Sequence, residues 1–403
     1  MNFLFAWRYF KSKKSTNAIN LIAWISVTAI AVGSAALIIV LSVFNGFESL
    51  VKGLYSDFYA DVRVAPSSGK TFHLSPEQLK KVHSITGVLG LSAVVEEKAV
   101  LMNGDCSSIV YIRGVDNAFT TVSKISNHIR RGKFELGTAD VPKIVVGAGI
   151  ENAACVDVER PAAPLTLYMP NRSASNFVSS DALNAFNVQA VGTFMVQQDF
   201  DNKYVFSNIG FLRFMMNLKD DEYSSLDIKA AYDADRVKKD LQTLLGTGFL
   251  VQTRFEQNQS LYTVMQIEKW VIYGILSLIL VVAAFNMIGA LTMLVLEKQK
   301  DIAVMQAMGA NTNRIKGIFL TEGLLLAGLG GVSGMLIAAF ICWIQLKFEL
   351  IKLGGNTFII DYYPVKMVIG DFLLVGGTVF IIAILAAYIP SRKASLQEFS
   401  LKS

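Results

Sequence analysis

The segment Ser68-Gly69-Lys70-Thr71 carries the residue types that end a phosphate-binding P-loop, in which backbone N–H groups and a lysine hold nucleotide phosphates. That motif also needs a glycine five residues before its second glycine, and this sequence has Val64 there. The sequence also has no G-x-S-x-G or H-E-x-x-H motif, and His73, His83 and His128 lack metal-ligand spacing. We therefore expect no catalytic residue, no metal site and no cofactor bound by this chain.

A second set of residues has types and spacing suited to binding another protein. Residues 297–316 read EKQKDIAVMQAMGANTNRIK and lie between two long apolar runs. Ile302, Met305 and Met308 recur every three residues, which gives a helix one apolar stripe, and Gly309 suits the left-handed position that ends a helix. We predict a short helix over 298–310 whose stripe either rests on lipid or seats in a groove of a soluble protein. The residues expected at this contact are Lys300, Asp301, Ile302, Ala303, Met305, Ala307, Met308 and Gly309.

Four apolar runs must position this helix, and they cover about residues 20–44, 270–296, 318–346 and 368–389. Each run reaches the roughly 20 residues needed to cross a bilayer, and each is almost free of charge. We predict four transmembrane helices. The first run is nearly twice as long as the apolar core of a signal peptide, so we expect an uncleaved span. Asn311 or Thr312 is expected to cap the helix that begins the third span.

Basic residues are distributed unevenly between the two sides of these spans. Four Lys or Arg precede the first run, four lie in residues 297–316 and three follow the last run, whereas the loop after the third run has three. Cytoplasmic loops carry the excess of Lys and Arg, so both termini and the short helix are expected in the cytoplasm. Residues 47–268 are then outside. The net charge of +5 fits anionic lipid and requires no nucleic-acid partner.

The N-terminal residues combine aromatic and basic side chains. Phe3, Trp7 and Phe10 share one face of a helix, and the basic residues between them lie largely away from it. This pattern is typical of a helix that lies in the membrane interface, although an ordinary basic flank with aromatic anchors has the same composition.

The long segment between the first two spans has the pattern of an α+β domain. Strand-like stretches at 61–64, 107–113 and 226–231 alternate with helical ones, and Ser75-Pro76 with Gln78 forms a helix start. Residues 226–253 predict a strand, a helix and a strand, as in a βαβ unit. About 220 residues favour two subdomains. Residues 254–269 predict a helical stalk that runs without interruption into the second span.

Two cysteines lie in this outside segment. A disulfide between Cys106 and Cys155 is permitted there, although the sequence does not decide whether they pair. Cys342 falls in the third span, where it is expected to be a small apolar residue.

Small and polar residues inside the spans can mediate contacts between helices. Gly330 and Gly334 form a G-x-x-x-G pair, and Ala29 and Gly33 form a weaker small pair. Both pairs fit either packing within the chain or contact with a second chain.

Three further polar side chains lie in or near the spans. Asn286 and Glu322 need hydrogen-bond partners inside a membrane, and Glu322 is placed to bond the short helix or its flanks. Asp371 is expected at the membrane interface.

Several sequence blocks resemble a known family. The block DIAVMQAMGA followed by IKGIFLTEGLLLAGLGGVSG is similar to the FtsX/MacB-type permease module of ABC transporters. The blocks FAWRYF, SVFNGF, AAFNMIGAL and IPSRKAS resemble the lipoprotein-releasing (Lol) permease subfamily. The resemblance covers essentially the whole chain in order. It implies a membrane protein, an α-helical four-span permease with a large α+β extracytoplasmic domain between spans 1 and 2.

The implied domains are an interfacial helix with the first span (1–46), a MacB-like periplasmic domain of two subdomains with its stalk (47–268), and an FtsX-like domain (269–403). The resemblance also implies a type VII permease of the bacterial inner membrane that works by mechanotransmission. Two permease chains, identical or related, would bind a cytoplasmic ATPase dimer that uses ATP and Mg. Residues 298–310 would contain the coupling helix.

The implied cargo is a lipoprotein, lifted from the outer leaflet to a periplasmic carrier. Its acyl chains would need an apolar cavity, which Val40, Val43 and Phe44 are expected to line unless they contact plain lipid.

Two other functions fit the same superfamily. One is MacB-like efflux of peptides or drugs, which needs an adaptor and an outer-membrane channel. The other is FtsX-like regulation of cell-wall hydrolases, against which the size of the outside domain argues.

Overall fold

The computed structural model describes residues 17–159, 165–170, 183–231, 233–352 and 362–396, with side chains from Leu21 onward. The predicted interfacial helix with Phe3, Trp7 and Phe10 lies outside the described residues. The chain forms two units. One, the helical unit, contains residues up to 50, residues 263–352 and residues 362–396; the other, the inserted domain, contains residues 51–262.

Among the described residues, four helices are long and apolar enough to cross a membrane, as the sequence predicts. We call them spans 1 to 4: Asn17–Phe58, Gln259–Glu297, Thr312–Phe348 and Ile369–Ser395. Span 1 continues beyond the predicted apolar run and ends inside the inserted domain. Span 2 includes most of the predicted stalk, but Asn258 separates it from a short helix, Arg254–Gln257, so the stalk is not one continuous helix.

A short helix, Gln299–Ala307, lies between spans 2 and 3, and we call it the linker helix. It belongs to the helical unit, whose apolar core combines side chains of all four spans. Spans 3 and 4 approach closely at glycines: a Cβ built on Gly323 would lie 2.6 Å from the Cβ of Ala387, and one on Gly331 would lie 3.1 Å from Val379.

In its described residues, the inserted domain contains a mixed sheet of ten strands in the order β12-β1-β11-β3-β4-β9-β6-β8-β5, with β7 paired to β3 and β8, and a two-stranded sheet of β2 and β10. The strands are β1 (Val62–Pro66), β2 (Phe72–His73), β3 (Val88–Asn103), β4 (Cys106–Val115), β5 (Ile129–Gly132), β6 (Lys143–Gly147), β7 (Leu165–Pro170), β8 (Leu183–Phe194), β9 (Tyr204–Asn208), β10 (Glu222–Tyr223), β11 (Ser225–Ala230) and β12 (Phe249–Thr253). The domain's other helices are Pro76–His83, Phe119–Val122, a 3₁₀ turn Ile125–His128, Ala148–Ala153, Gln198–Asp201, Ile209–Met216 and Ala234–Leu245.

The predicted βαβ unit is present. β11 and β12 pair with opposite edges of β1, both antiparallel to it, and the helix Ala234–Leu245 connects them. The predicted helix start is also present, because Ser75 and Gln78 form a reciprocal capping box before Pro76. Two apolar clusters lie within the described part of the domain, so the ten-stranded sheet contributes to two cores.

Candidate functional site

The linker helix has a fixed C-terminal end. The N–H groups of Gly309 and Ala310 donate to the carbonyl oxygens of Gln306 (2.9 Å) and Met305 (3.0 Å), the pattern of a Schellman motif. Gly309 has φ +87°, which confirms the predicted left-handed stop. Just beyond this stop, the Oδ1 atom of Asn311 accepts the N–H of Arg314 at 2.9 Å and caps span 3. A short helix stopped in this way is a defined body rather than a flexible loop.

The structure divides the predicted stripe between two faces. Ile302 is only 1% exposed and belongs to the core of the helical unit together with Ile315 and Phe319. Met305 is half-buried against the same core, whereas Met308 is 75% exposed. The expectation that Ile302, Met305 and Met308 together face a partner is therefore corrected. Burying a large aliphatic side chain contributes about 1.5–3 kcal/mol, so packing against the spans accounts for the orientation of Ile302.

A different surface of the linker helix is available to a partner. Val304 is 57% exposed, and Met308 follows it four residues later on the same face. Three more exposed residues, Lys300, Asp301 and Ala307, share this side of the helix, while Ala303 is half-buried and Gly309 is exposed just beyond its end. Asp301 pairs with Lys298 at 3.3 Å. We call Lys300, Asp301, Val304, Ala307 and Met308 the outer face of the linker helix.

The G-x-x-x-G pair of span 3 packs against span 1 of the same chain. A Cβ on Gly330 would lie 2.7 Å from the carbonyl oxygen of Val27, and one on Gly334 would lie 2.2 Å from that of Ala31. The hydroxyl of Ser34 is equally close to Gly334. Of the two possibilities left open by the sequence, this pair therefore mediates packing within the chain, because close backbone approach needs residues without a Cβ.

The small pair of span 1 is also used inside the helical unit. A Cβ on Gly33 would lie 2.8 Å from Leu280 of span 2, and Ala29 packs against the same core.

The two predicted intramembrane polar residues differ from each other in burial. Glu322 is buried in the bundle beside Gly323, whereas Asn286 is exposed on span 2.

The predicted lipid-contacting residues share one side of span 1. Val40, Val43 and Phe44 are all half-buried there. The neighbouring Gly46 is covered instead, because a Cβ on it would lie 2.1 Å from the carbonyl oxygen of Pro364.

Three polar residues, for which the sequence predicted no mutual contact, lie together at one end of the helical unit. The Nδ2 atom of Asn45 in span 1 donates to Asp371 Oδ2 in span 4 at 2.5 Å. The ammonium of Lys269 in span 2 donates to Asn45 Oδ1 at 2.8 Å and lies 3.4 Å from Asp371 Oδ1. We call these residues the polar cluster. Asp371 is thus buried and paired, contacts that the expectation of a position at the membrane interface did not include.

The inserted domain holds the end of span 1 in an aromatic cluster. Phe58 stacks on Phe200 with ring centroids 4.0 Å apart, and the guanidinium of Arg113 lies 5.6 Å from the Phe58 ring centre. Arg113 is itself buried and pairs with Asp227 at 2.7 Å and Glu96 at 3.1 Å. A buried guanidinium needs such partners, because an unpaired buried charge is very costly. The last turn of span 1 is therefore part of the domain core.

Two ionisable groups beside this aromatic cluster, Arg63 and Tyr204, have shifted pKa values. Burial alone would lower the pKa of Arg63, but Asp227 and Glu96 outweigh burial and hold that pKa above its usual range. Burial, with Glu96 as a second cause, raises the pKa of Tyr204. The guanidinium thus remains charged and the phenol remains neutral.

The first and last segments of the inserted domain are joined by an ion pair and hydrogen bonds. Arg254 forms an ion pair with Asp61, and its backbone N–H donates to the Asp61 carbonyl oxygen at 3.0 Å. The Arg254 Nε atom also donates to the Tyr59 carbonyl oxygen at 3.3 Å. Thr253 and Glu256 form a capping box at the same place. No spacing in the sequence predicts the contacts of Arg254 with Tyr59 and Asp61, which join residues about 190 positions apart.

Two remaining features of the domain have structural roles. Lys70, in the P-loop-like segment, pairs with Glu97 at 2.8 Å, so this segment is a polar loop. Cys106 and Cys155 form a disulfide, which settles the pairing that the sequence left open, and Cys342 is a free, buried thiol. Among the described residues, no group of His, Cys, Asp or Glu is arranged to hold a metal ion.

Two family models match the chain. The MacB-like periplasmic core domain matches residues 23–244, more than half of the chain, and the FtsX-like permease C-terminal domain matches residues 273–399. The chain is 26% identical to "Lipoprotein-releasing system transmembrane protein LolC" of Neisseria meningitidis serogroup B, over 96% of this chain and 95% of that protein. It is 27% identical to "Lipoprotein-releasing system transmembrane protein LolE" of Haemophilus influenzae, over 98% of this chain and 97% of that protein. The chain belongs to the family of proteins with a MacB-like periplasmic core domain, and its C-terminal part matches the FtsX-like permease domain.

Proposed function

We propose that this chain, as a member of the family of proteins with a MacB-like periplasmic core domain, is the permease subunit of an ABC transporter that releases lipoproteins from a membrane. The observation that carries the proposal is the alignment with lipoprotein-releasing permeases over almost the full length of both proteins. The lipoproteins would leave the outer leaflet of the bacterial inner membrane and pass to a periplasmic carrier.

The proposed topology follows from the charge distribution. Both termini and the linker helix lie in the cytoplasm, because the short segments there are richest in Lys and Arg. The inserted domain is then periplasmic, where a disulfide such as Cys106–Cys155 persists.

The outer face of the linker helix is the proposed contact with a separate cytoplasmic ATPase. Val304 and Met308 supply exposed apolar anchors, and Lys300 and Asp301 supply charges at the edge. The ATPase dimer would bind ATP and Mg, and this chain would bind neither. Because Ile302 is buried in the spans, a push on the linker helix reaches the bundle core directly. Such a helix can transmit force, whereas a loop would absorb it.

The proposed mechanism is mechanotransmission, with no passage of cargo through one chain. Span 1 ends at Phe58, which stacks on Phe200 within the inserted domain, and span 2 begins at Gln259, shortly after the Arg254–Asp61 ion pair. A second permease chain would complete the transporter, with Asn286 on span 2 as one exposed polar contact. The half-buried Val40, Val43 and Phe44 would line the apolar surface that receives acyl chains.

The test is depletion of this protein in its host, followed by separation of the inner and outer membranes. Mature, lipid-modified lipoproteins should collect in the inner membrane, and the intact protein should reverse this. The Met308→Asp variant should insert but fail to restore release, whereas Gly328→Ala, at an uncrowded position of span 3, should restore it. Normal lipoprotein sorting after depletion would contradict the proposal, and drug sensitivity and cell-wall hydrolysis would then be measured.

A further inference from the structure

The polar cluster joins three spans at the end from which spans 1 and 2 lead toward the inserted domain. Asn45 bonds both other members, and its Nδ2 atom also lies 3.5 Å from the carbonyl oxygen of Lys366. Asn45 is 5% exposed and Asp371 is 7% exposed. Buried polar groups in a membrane-spanning unit are costly unless paired, so these contacts constrain the three helices to one arrangement.

A second polar contact reinforces the connection between spans 2 and 4. The hydroxyl groups of Tyr273 and Thr378 are hydrogen-bonded to each other. Tyr273 follows Lys269 by one helical turn, and Thr378 lies two turns beyond Asp371. Span 4 is thus fastened to span 2 at two successive levels.

The other end of span 4 is connected, through span 3, to the linker helix. Ile302 packs in the same core as Phe319 of span 3. Gly323 of span 3 then packs against Ala387 of span 4, and Gly331 packs against Val379. These contacts form a continuous series from the linker helix along span 4 to Asp371. The series ends at the polar cluster, where span 4 meets spans 1 and 2.

We propose that the polar cluster is the point at which movement of span 4 is delivered to spans 1 and 2, and so toward the inserted domain. Asn45, Lys269 and Asp371 act as positioning residues in this role. Apolar contacts between helices can slide, whereas an ion pair with directed hydrogen bonds fixes one register. The inference rests on the proposed function, since it takes an ATPase to be the source of the movement.

The test uses the full chain reconstituted with its ATPase in liposomes that contain a lipid-modified lipoprotein. The variants are Lys269→Met, Asp371→Asn and the triple Asn45→Leu/Lys269→Met/Asp371→Leu. The triple variant removes all three groups together, because apolar replacement of a whole buried pair is often tolerated where single removal is not. Lys366→Met is the matched control, since the Lys366 ammonium lies 3.3 Å from the Ser49 hydroxyl at the same end of the spans.

We expect ATP hydrolysis within about twofold of wild type in all variants and in the control. Lipoprotein released per ATP should fall at least tenfold in Lys269→Met and in the triple variant, but not in Lys366→Met. The swap Lys269→Asp/Asp371→Lys should recover most of the loss, which a general packing defect would not allow. The inference would be overturned if the triple variant enters the membrane and releases as much lipoprotein per ATP as wild type. It would also be overturned if the swap variant releases no more lipoprotein per ATP than the single variants.

A readout that does not depend on cargo separates this inference from the proposed function. Amide hydrogen exchange is measured with and without a non-hydrolysable ATP analogue. In wild type, the analogue should change the rate of hydrogen exchange in both the linker helix and stalk residues 259–268. In the triple variant, only the linker helix should respond. Wild type that responds but releases no lipoprotein would contradict the proposed function alone, and a triple variant whose stalk still responds would contradict the polar cluster's role.

Discussion

Replacement of Met308 by Asp should separate binding of the ATPase from folding of the chain. The side chain is 75% exposed at the end of the linker helix, so the free protein loses little packing. Surface substitutions of this kind usually change the free energy of unfolding by no more than about 0.5 kcal/mol. In the complex, the same change places a carboxylate where we expect an apolar anchor.

The expected loss of binding can be estimated from this geometry. Truncation of a well-packed interface anchor costs about 2 kcal/mol or more, and each 1.4 kcal/mol is about tenfold in affinity. Met308→Asp should therefore raise the dissociation constant for the ATPase by about 30-fold. Val304→Asp, one turn earlier on the same face, should act in the same direction.

The assay is titration of the purified ATPase onto the purified chain, with thermal unfolding measured in parallel. Ile302→Val is the matched control, because Ile302 is buried and loses one methylene group inside the bundle. It should cost about 0.5–1.5 kcal/mol of stability and leave the dissociation constant within about twofold. Weaker binding in Ile302→Val together with unchanged binding in Met308→Asp would refute the assignment of the outer face.

Other residues give three further expectations. Asn286→Leu should weaken association of two permease chains about 3- to 20-fold in a bilayer, because hydrogen bonds between membrane helices contribute about 0.6–1.7 kcal/mol; unchanged association would place Asn286 against lipid. Gly334→Ala should destabilise the protein by about 1–3 kcal/mol in denaturant unfolding, since its Cβ would press on the span 1 backbone, whereas Gly328→Ala, with open space around it, should not. Burial raises the pKa of Asp201 to about 6, so the folded state favours the protonated carboxyl. The contribution of this group to the free energy of unfolding is fully present below about pH 4 and is lost as pH rises through 6. Asp201→Asn should therefore be more stable than wild type by about 2 kcal/mol at pH 7 and not at pH 4, as measured by thermal unfolding at both values.

Local signals in the sequence predicted most of the elements that position the site. The four spans follow from run length, and the stop at Gly309 follows from the need for a left-handed residue after the linker helix. The capping box at Ser75 and the strand–helix–strand order of residues 225–253 were equally readable, because each depends on neighbours in the chain.

Contacts that depend on tertiary structure could not be read in the same way. The stripe of Ile302, Met305 and Met308 fits two burial partners, and only the fold shows that Ile302 belongs to the spans. The pairing of Asp371 is partly predictable from the sequence. An acidic residue in a span needs a partner, and Lys269 lies just before the apolar run of span 2. Whether the two side chains meet depends on how the helices are arranged.

The packing of the spans bears on the route of a lipid-modified cargo. The cavity enclosed between the four spans near Leu280, Met287 and Val379 has a volume of about 10 Å³, which holds at most one water molecule. Glycines at 330 and 334 close the contact between spans 1 and 3 down to the backbone. Acyl chains therefore have no path through the interior of one chain at this level. This packing fits the proposed mechanism, in which the permease acts on cargo at its surface and ATP-driven movement is carried along the helices.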